Sequence, residues 1–330
     1  MSENTANGAH RLTGQVAVIT GAGRGIGRAD ALLLARLGAA VVVNDIGADV
    51  TGAGSDSSVA DAVVTEILSA GGRAVTSTGD ISTPEGGQSV IDTALGTFGR
   101  VDILVHNAGS LHRGTFGDLD LEPVRKVFAT HLLGAFHVGQ PAWRDMRSRG
   151  YGRIVLTTSL AQFGAPELSA YSAAKAGCVS LARTMALEAA AAGVDIKVNA
   201  LSPSAATRRA AFSHRDDSAA AALDQGMGAG GSPDSIAAVT AFLVSPACPV
   251  TATCVRAAGS FIARIYTGMS PGWSPGDRPL TIDDIAAHFH EAMAVPGEEH
   301  LLLPTSSASA RQLTVDRVLA ADPSVGTVSG

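Results

Sequence analysis

The 330-residue sequence contains few charged or aromatic residues, only three cysteines and no long hydrophobic run. Its 24 Lys and Arg residues against 30 Asp and Glu give a net charge of −6, without a block of like charges. Nucleic acid is therefore not expected as a partner. Each apolar run is interrupted well before the ~18 residues that a membrane-spanning helix requires, so no membrane partner is expected either.

The cysteines and the N-terminal residues limit the cellular context. Cys178, Cys248 and Cys254 are odd in number and lack metal-ligand spacing, which favours reduced thiols that pack as small apolar residues, and no metal site. Residues 1–12 are small and polar and lack the apolar core of a signal peptide. A cytoplasmic location is therefore expected.

Glycine and β-branched residues are abundant, and their arrangement indicates the fold class. Short β-branched runs alternate with longer helical patterns, which is typical of βαβ units. This pattern predicts an α/β fold with a Rossmann-like, doubly wound parallel sheet and helices on both faces. The predicted strands cover residues 15–20, 40–44, 73–76, 101–106, 153–158 and 196–201. The predicted helices cover residues 27–37, 57–70, 85–98, 123–149 and 170–192.

Four segments are predicted along the chain. Residues 1–12 form a flexible N-terminus, and residues 13–260 form one dinucleotide-binding domain. Residues 261–300 form a C-terminal extension whose helix begins at a capping-box-like Thr281. Residues 301–330 form a Ser/Ala-rich tail with the composition of a disordered segment.

A glycine-rich turn between the first strand and the first helix predicts a nucleotide site. Four glycines alternate with other residues from Gly21 to Gly27. Such a turn lets the backbone approach a pyrophosphate, and the helix N-terminus favours its negative charge. Asp45 ends the second strand, where its carboxylate accepts hydrogen bonds from ribose hydroxyls and repels a 2′-phosphate. This position favours NAD over NADP, whereas a polar residue that merely ends the strand is the simpler alternative.

Three further residues indicate acid–base chemistry. Tyr171 and Lys175 lie four positions apart at the start of a helix and therefore project from one face. A neighbouring ammonium stabilises a phenolate, so the pair forms a candidate general base. Ser159 ends the fifth strand, where it can hold a substrate oxygen. Taken singly, these residues also fit a turn cap, a packing tyrosine and a solvated lysine.

Together, the glycine turn, the segment His106-Asn107-Ala108-Gly109, Ser159 and Tyr171-Ser172-Ala173-Ala174-Lys175 resemble the short-chain dehydrogenase/reductase family. The resemblance implies that Tyr171 is the general acid/base, that Lys175 binds the nicotinamide ribose and supports Tyr171, and that Ser159 orients the substrate. It also implies that NAD is bound by a wider set of residues: Gly21, Arg24, Ile26, Gly27, Asp45, Asp80, Ile81, Asn107, Tyr171, Lys175 and Thr207.

A narrower resemblance concerns the substrate. The segment from Val41 to Gly47 with the insertion that follows it, Thr130-His131-Leu132 and Ala142-Trp143 resemble the (3R)-hydroxyacyl-CoA dehydrogenase unit of peroxisomal multifunctional enzymes type 2. This resemblance implies a role for His131 in a proton relay, with a packing histidine as the alternative. It also implies a homodimer or homotetramer that the extension helps to form.

The resemblance leaves three functions open. The first is oxidation of a 3-hydroxyacyl-CoA thioester or reduction of the corresponding ketone. CoA phosphates are then candidates to bind Arg208, Arg209, His214 and Arg215, for which a solvated loop is an equally good explanation. The second is the same hydride chemistry on a hydrophobic ring alcohol such as a steroid, terpene or polyketide. The third is an NAD-binding protein without catalysis, against which the intact Ser159, Tyr171 and Lys175 argue.

Overall fold

The computed structural model describes residues 10–205, residue 207 and residues 231–294. In this part of the chain, the strands are β1 (Val16–Thr20), β2 (Ala40–Asn44), β3 (Arg73–Ser77), β4 (Ile103–His106), β5 (Tyr151–Thr157), β6 (Asp195–Ser204), β7 (Cys254–Ala258) and β8 (Phe261–Ile265). The helices are α1 (Gly25–Arg36), α2 (Ser58–Ser69), α3 (Pro84–Phe98), α4 (Leu121–Phe128), α5 (Gly134–Arg149), α6 (Ser169–Ala191), α7 (Pro233–Val244) and α8 (Ile282–Met293).

The strands form one sheet in the order β3-β2-β1-β4-β5-β6-β7-β8, in which β8 alone is antiparallel to its neighbour. Two apolar layers cover the sheet. One contains residues of α1, α2 and α7, and the other contains residues of α3, α5 and α6. Because both faces are covered, the central strands are mostly apolar, as in the fully buried Val16–Thr20. The predicted doubly wound α/β fold is confirmed.

The predicted element types are confirmed with shifts of one to a few residues at their ends. Gly99 and Gly150 end α3 and α5 with φ values of 80° and 72°, a left-handed conformation that glycine adopts without strain. The single helix predicted over residues 123–149 is instead α4, a π-helical turn (Ala129–Leu133) and α5 in direct succession. The extra residue of a π turn is not visible in hydrophobic periodicity.

Two strands and one helix were not predicted. β7 was missed because a charged residue, Arg256, lies at its centre. In the structure this side chain is 3% exposed and donates to the Ser202 carbonyl at 3.1 Å. Gly259, with φ 55°, lies between β7 and β8, which pair as an antiparallel hairpin. α7, which begins at Pro233, was also missed.

Two structural features lie across the predicted segment boundaries. The sheet continues past residue 260 to Ile265, because β8 pairs with β7. At the other end, Leu12 is not part of a flexible terminus, since its side chain is fully buried and its amide donates to the Leu37 carbonyl at 2.9 Å. The predicted tail over 301–330 and the four residues Arg208, Arg209, His214 and Arg215 lie outside the described residues.

The extension beyond the sheet contains α8. The predicted capping box is present, since the Thr281 hydroxyl accepts from the Asp284 amide at 3.2 Å and the Asp284 carboxylate accepts from the Thr281 amide at 2.9 Å. No residue of α8 is buried. None of the described helices is both long and apolar enough to cross a membrane. Cys178, Cys248 and Cys254 are buried free thiols.

Candidate active site

The candidate site lies at the carboxyl ends of the parallel strands, where β1 and β4 are neighbours. The chain crosses from one side of the sheet to the other between these strands, and such a switch point leaves a crevice in doubly wound folds. The turn from Gly21 to Arg24 joins β1 to α1, so the N-terminal amides of α1 face this crevice. A helix N-terminus of this kind attracts an anion such as a pyrophosphate.

The glycines of this turn are required by close packing. A Cβ atom on Gly27 would lie 2.3 Å from the Gly21 carbonyl oxygen, and one on Gly21 would lie 2.7 Å from Cα of Ala108. Asn107 holds the same turn, because its side-chain amide donates to the carbonyls of Thr20 and Gly21 at 3.2 and 3.1 Å. Asn107 therefore fixes the shape of the turn from the end of β4.

Asp45 joins the glycine turn to the end of β2. One carboxylate oxygen accepts from the Gly23 amide at 2.9 Å, and the other accepts from the Gly47 amide at 2.7 Å. Each carboxylate oxygen has a second lone pair, so the group retains the capacity to accept from ribose hydroxyls. The predicted proximity of Asp45 to the glycine turn is therefore present in the fold.

A cavity of about 390 Å³ opens between these elements. Most of the residues predicted to bind the cofactor line it: Gly21, Arg24, Ile26, Asp45, Asp80, Ile81, Asn107 and Thr207. Gly27, Tyr171 and Lys175 are not part of its lining. The cavity thus brings together side chains from the ends of β1, β2, β3 and β4, which are far apart in sequence.

Tyr171 and Lys175 lie in the first two turns of α6 and are almost fully buried, with 6% and 0% exposure. The Lys175 ammonium donates to the Thr157 carbonyl at the end of β5. It lies 5.7 Å from the centroid of the Tyr171 ring. The buried positive charge is therefore held beside the phenol by the backbone of the sheet.

Ser159 follows β5 and begins a short 3-10 turn (Leu160–Phe163). Its hydroxyl accepts from the Ala161 amide at 3.2 Å, so it caps this turn, and the hydroxyl hydrogen stays available for donation. Ser159 is half-buried. Both sequence interpretations of this residue, a turn cap and a group that can contact substrate, are therefore compatible with its environment.

His131 lies in the π-helical turn and is fully buried. Its ring meets the Tyr171 ring edge-to-face, with the centroids 5.1 Å apart and the planes at 85°. Its Nε2 atom lies 2.6 Å from the Ser110 carbonyl oxygen. The Ser110 amide nitrogen lies 3.1 Å from the same Nε2 atom, so the imidazole is held against the Ser110 backbone in either tautomer.

A second buried histidine, His106, lies beneath the site. Thr20 Oγ1 accepts from the amides of Asn107 and Ala108, so its hydrogen is directed to Nδ1 of His106, and Nε2 of His106 donates to the His131 carbonyl. Burial, assisted by the Lys175 charge, lowers the pKa of His106 to about 4. His106 is therefore a neutral structural link between β1, β4 and the π-helical turn at physiological pH.

Several residues of the cavity wall were not predicted. The insertion between β2 and α2 contributes Ala48, Asp49, Val50, Thr51 and Gly52, and the lining also includes Ser110, Lys126 and Thr130. Because the insertion directly follows Asp45, the sequence could have predicted that it lies near a nucleotide. Its packing against Ser110 depends on the fold alone.

Residues 15–217 match the short chain dehydrogenase family. The chain belongs to this family. Family members are oxidoreductases that act on CH–OH groups with NAD(H) or NADP(H). The predicted resemblance to this family is confirmed.

Named relatives extend the match beyond the shared family region. The chain is 39% identical over 284 residues to a short-chain type dehydrogenase/reductase of Mycobacterium tuberculosis, covering 86% of this chain and 95% of the relative. It is 42% identical over 199 residues to the peroxisomal multifunctional enzyme type 2 of Mus musculus, covering 60% of this chain. The match spans only 26% of that mouse protein.

A solved structure of 7α-hydroxysteroid dehydrogenase, complexed with NADH and 7-oxo glycochenodeoxycholic acid, is also similar. It superposes with a TM-score of 0.68 and 31% identity, over 77% of this chain and 96% of that one. The residues that line the cavity suit a dinucleotide, because the glycine turn and the N-terminus of α1 lie there beside the Asp45 carboxylate.

Proposed function

We propose that this dehydrogenase interconverts a secondary alcohol and a ketone with NAD as its dinucleotide. The observation that supports this most strongly is the buried pair of Tyr171 and Lys175, with the ammonium 5.7 Å from the phenol ring at the end of the sheet that carries the nucleotide cavity. Without a partner, a buried ammonium is costly, and a phenolate beside it reduces that cost.

The residues that would hold NAD surround the cavity. The Gly21–Arg24 turn and the N-terminus of α1 would bind the pyrophosphate, Asp45 the adenosine ribose, and Asp80 with Ile81 the adenine. When bound, the oxidised nicotinamide accepts a hydride. An added 2′-phosphate would face the Asp45 carboxylate, which supports NAD over NADP.

Side chains of the protein would transfer the proton of the substrate hydroxyl. In the oxidation direction, Tyr171 takes the hydroxyl proton of the alcohol as the carbon loses its hydride and the C=O bond forms. Lys175 stabilises the phenolate before this transfer, and Ser159 donates a hydrogen bond to the substrate oxygen. In the reduction direction Tyr171 returns the proton to the oxygen.

We infer that the substrate is a 3-hydroxyacyl thioester. The support is the 42% identity to a segment of peroxisomal multifunctional enzyme type 2, together with the insertion after Asp45. A ring-bearing secondary alcohol is the second candidate, supported by the similarity to 7α-hydroxysteroid dehydrogenase over 96% of that chain. Membership of the short-chain dehydrogenase family is compatible with both candidate substrates.

We further propose that the protein is a homodimer or homotetramer. An exposed apolar stripe on α8, formed by Ile282, Ile285, Phe289 and Met293, supports this proposal. Light scattering of the purified protein tests it, and a monomer at micromolar concentration would refute it.

The decisive experiment measures NADH formation from (3R)- and (3S)-hydroxyacyl-CoAs and from ring-bearing alcohols, with NAD and with NADP. Tyr171→Phe removes the hydroxyl but keeps the ring contact with His131, so turnover should fall by about 10² or more while NAD binding is retained. Ser172→Ala, one residue away on the same helix, is the matched control. Turnover by Tyr171→Phe at nearly the wild-type rate would contradict the mechanism.

A further inference from the structure

Residues 46–56, here called the 46–56 loop, form one wall of the nucleotide cavity. The loop is closed at its base, where the Asp56 amide donates to the Ile46 carbonyl at 2.9 Å. Within it, one carboxylate oxygen of Asp49 accepts from the amides of Thr51 and Ala53 at 2.8 and 3.0 Å. These hydrogen bonds give the loop a defined shape without support from a helix or a strand.

The tip of the loop contacts the backbone that follows β4. The Leu111 amide donates to the Val50 carbonyl at 3.0 Å. Gly52 faces Ser110 so closely that a Cβ atom on this glycine would lie 3.2 Å from Ser110 Cβ. On its other side, the loop accepts a hydrogen bond at Ala48 from the Arg24 guanidinium at 3.2 Å. The loop therefore touches both the glycine turn and the Ser110–Leu111 backbone.

The Ser110 backbone continues this series of contacts toward Tyr171. Nε2 of His131 lies 2.6 Å from the Ser110 carbonyl oxygen and 3.1 Å from the Ser110 amide nitrogen, and the His131 ring packs edge-to-face on Tyr171. Gly109 permits this arrangement, because a Cβ atom there would lie 2.1 Å from Cε1 of His131. Close-packed contacts transmit displacement, so a shift of the loop tip reaches the Tyr171 ring.

We propose that the 46–56 loop is a positioning element that couples dinucleotide binding to the placement of Tyr171 through Ser110 and His131. This inference rests on the proposed function. The loop and Ser110 both line the cavity, so a dinucleotide that fills it contacts both and holds them in one arrangement. Loss of the contact at the loop tip weakens nucleotide binding and disturbs the environment of the Tyr171 proton.

Two glycines of the loop provide a matched test. Gly52 and Gly54 have φ values of 86° and 79°, so Gly52→Val and Gly54→Val carry similar backbone strain. Only the first places a side chain against Ser110, because the space around a Cβ atom on Gly54 is open. Gly52→Val should weaken NAD binding, measured by calorimetry, by roughly fivefold or more relative to Gly54→Val. Asp49→Ala, which removes the acceptor of the turn, should weaken binding in the same direction.

Two further readouts separate positioning from general destabilisation. Hydrogen exchange of the amides of residues 108–113 should be faster in Gly52→Val than in Gly54→Val, and NAD should slow it in the wild type. The apparent pKa in the kcat–pH profile should shift in Gly52→Val only. Equal binding, exchange and pH profiles in the two glycine variants would overturn the inference. Weaker binding with an unshifted profile would overturn the link to Tyr171.

The same measurements distinguish failure of this inference from failure of the proposed function. Calorimetry on the wild-type protein reports dinucleotide binding without any alcohol substrate. If the wild type binds neither NAD nor NADP, the proposed function fails, and the inference fails with it. If the wild type binds NAD and turns over an alcohol, but the loop variants behave alike, only the inference fails.

Discussion

At the scale of single residues, the site depends on the fit between His131 and its neighbours. The imidazole occupies the space beside Gly109 and contacts the Tyr171 ring. A larger residue at position 109 or a smaller one at position 131 would therefore alter the packing. The sequence indicated His131 as a candidate relay. The contacts of its Nε2 atom with the Ser110 backbone show that it also holds the segment after β4 in place.

This fit gives a prediction for Gly109→Ala. The added methyl group would meet the imidazole, so the variant should lose about 1–3 kcal/mol of unfolding free energy in urea denaturation. Combining it with His131→Asn, which replaces the ring by a shorter side chain, should recover part of that loss. Gly139→Ala in α5 is the control, because a Cβ atom there meets no other atom within 4 Å. Additive losses in the double variant would show that the two residues do not compete for space.

At the scale of secondary-structure elements, an ionic cluster joins the amino ends of β1 and β4 to the end of α5. The fully buried carboxylate of Asp102 accepts from the Val16 amide at 2.9 Å. It also pairs with the guanidinium groups of Arg100 and Arg149, each at 2.7 Å. Nearby, Asp145 pairs with Arg149 at 2.7 Å and accepts from the Val101 amide at 2.9 Å. The cluster lies at the amino ends of the strands, whereas the cavity lies at their carboxyl ends.

Asp102→Asn should therefore affect stability much more than nucleotide binding. The Asp102 carboxylate is buried, but the guanidinium groups of Arg100 and Arg149 are partly exposed and Arg149 keeps Asp145, so the expected loss of unfolding free energy is about 1.5–3 kcal/mol. Urea denaturation measures the loss, and Asp92→Asn on the exposed face of α3 provides the control. A loss as small as that of the control would show that solvent screens this cluster.

The strands and helices also show which elements hydrophobic periodicity and composition can predict. The six strands predicted from β-branched runs are present, because a strand covered on both faces is mostly apolar. β7 was missed because its buried Arg256 is satisfied by a neighbouring strand's carbonyl, a contact that exists only in the folded sheet. The π-helical turn was missed for a related reason, since one inserted residue barely changes a helical pattern.

At the scale of the whole molecule, two buried ionisable groups tie stability to pH. Burial raises the pKa of Asp30 to about 8, although a hydrogen bond with Thr240 acts in the opposite direction. Between about pH 4 and pH 8 the folded protein keeps this proton and the unfolded chain loses it, so stability falls as pH rises. His106, with its pKa lowered to about 4, has the opposite effect between pH 4 and 6.5.

At pH 6.5 His106 is half protonated in the unfolded chain, so its opposing effect fades as the pH rises and the Asp30 effect dominates up to about pH 8. The unfolding free energy should fall by about 1 kcal/mol between pH 6.5 and pH 8. Asp30→Asn should abolish this slope, whatever its effect on absolute stability. Urea denaturation of both proteins at the two pH values is the measurement, and equal slopes would mean that Asp30 is ionised in the folded state.

The sequence alone determined the fold class, the nucleotide turn with Asp45, and the spacing of Tyr171 and Lys175. These features are local, because a strand, a tight turn and one helical turn are each specified by residues close in the chain. Only the tertiary structure decided which side chains share the cavity wall, that the 46–56 loop packs on Ser110, and that His131 lies between Ser110 and Tyr171. The residues in these contacts are about 20 to 60 positions apart along the chain. Pairing at such separations depends on strand order and packing, which no local pattern encodes.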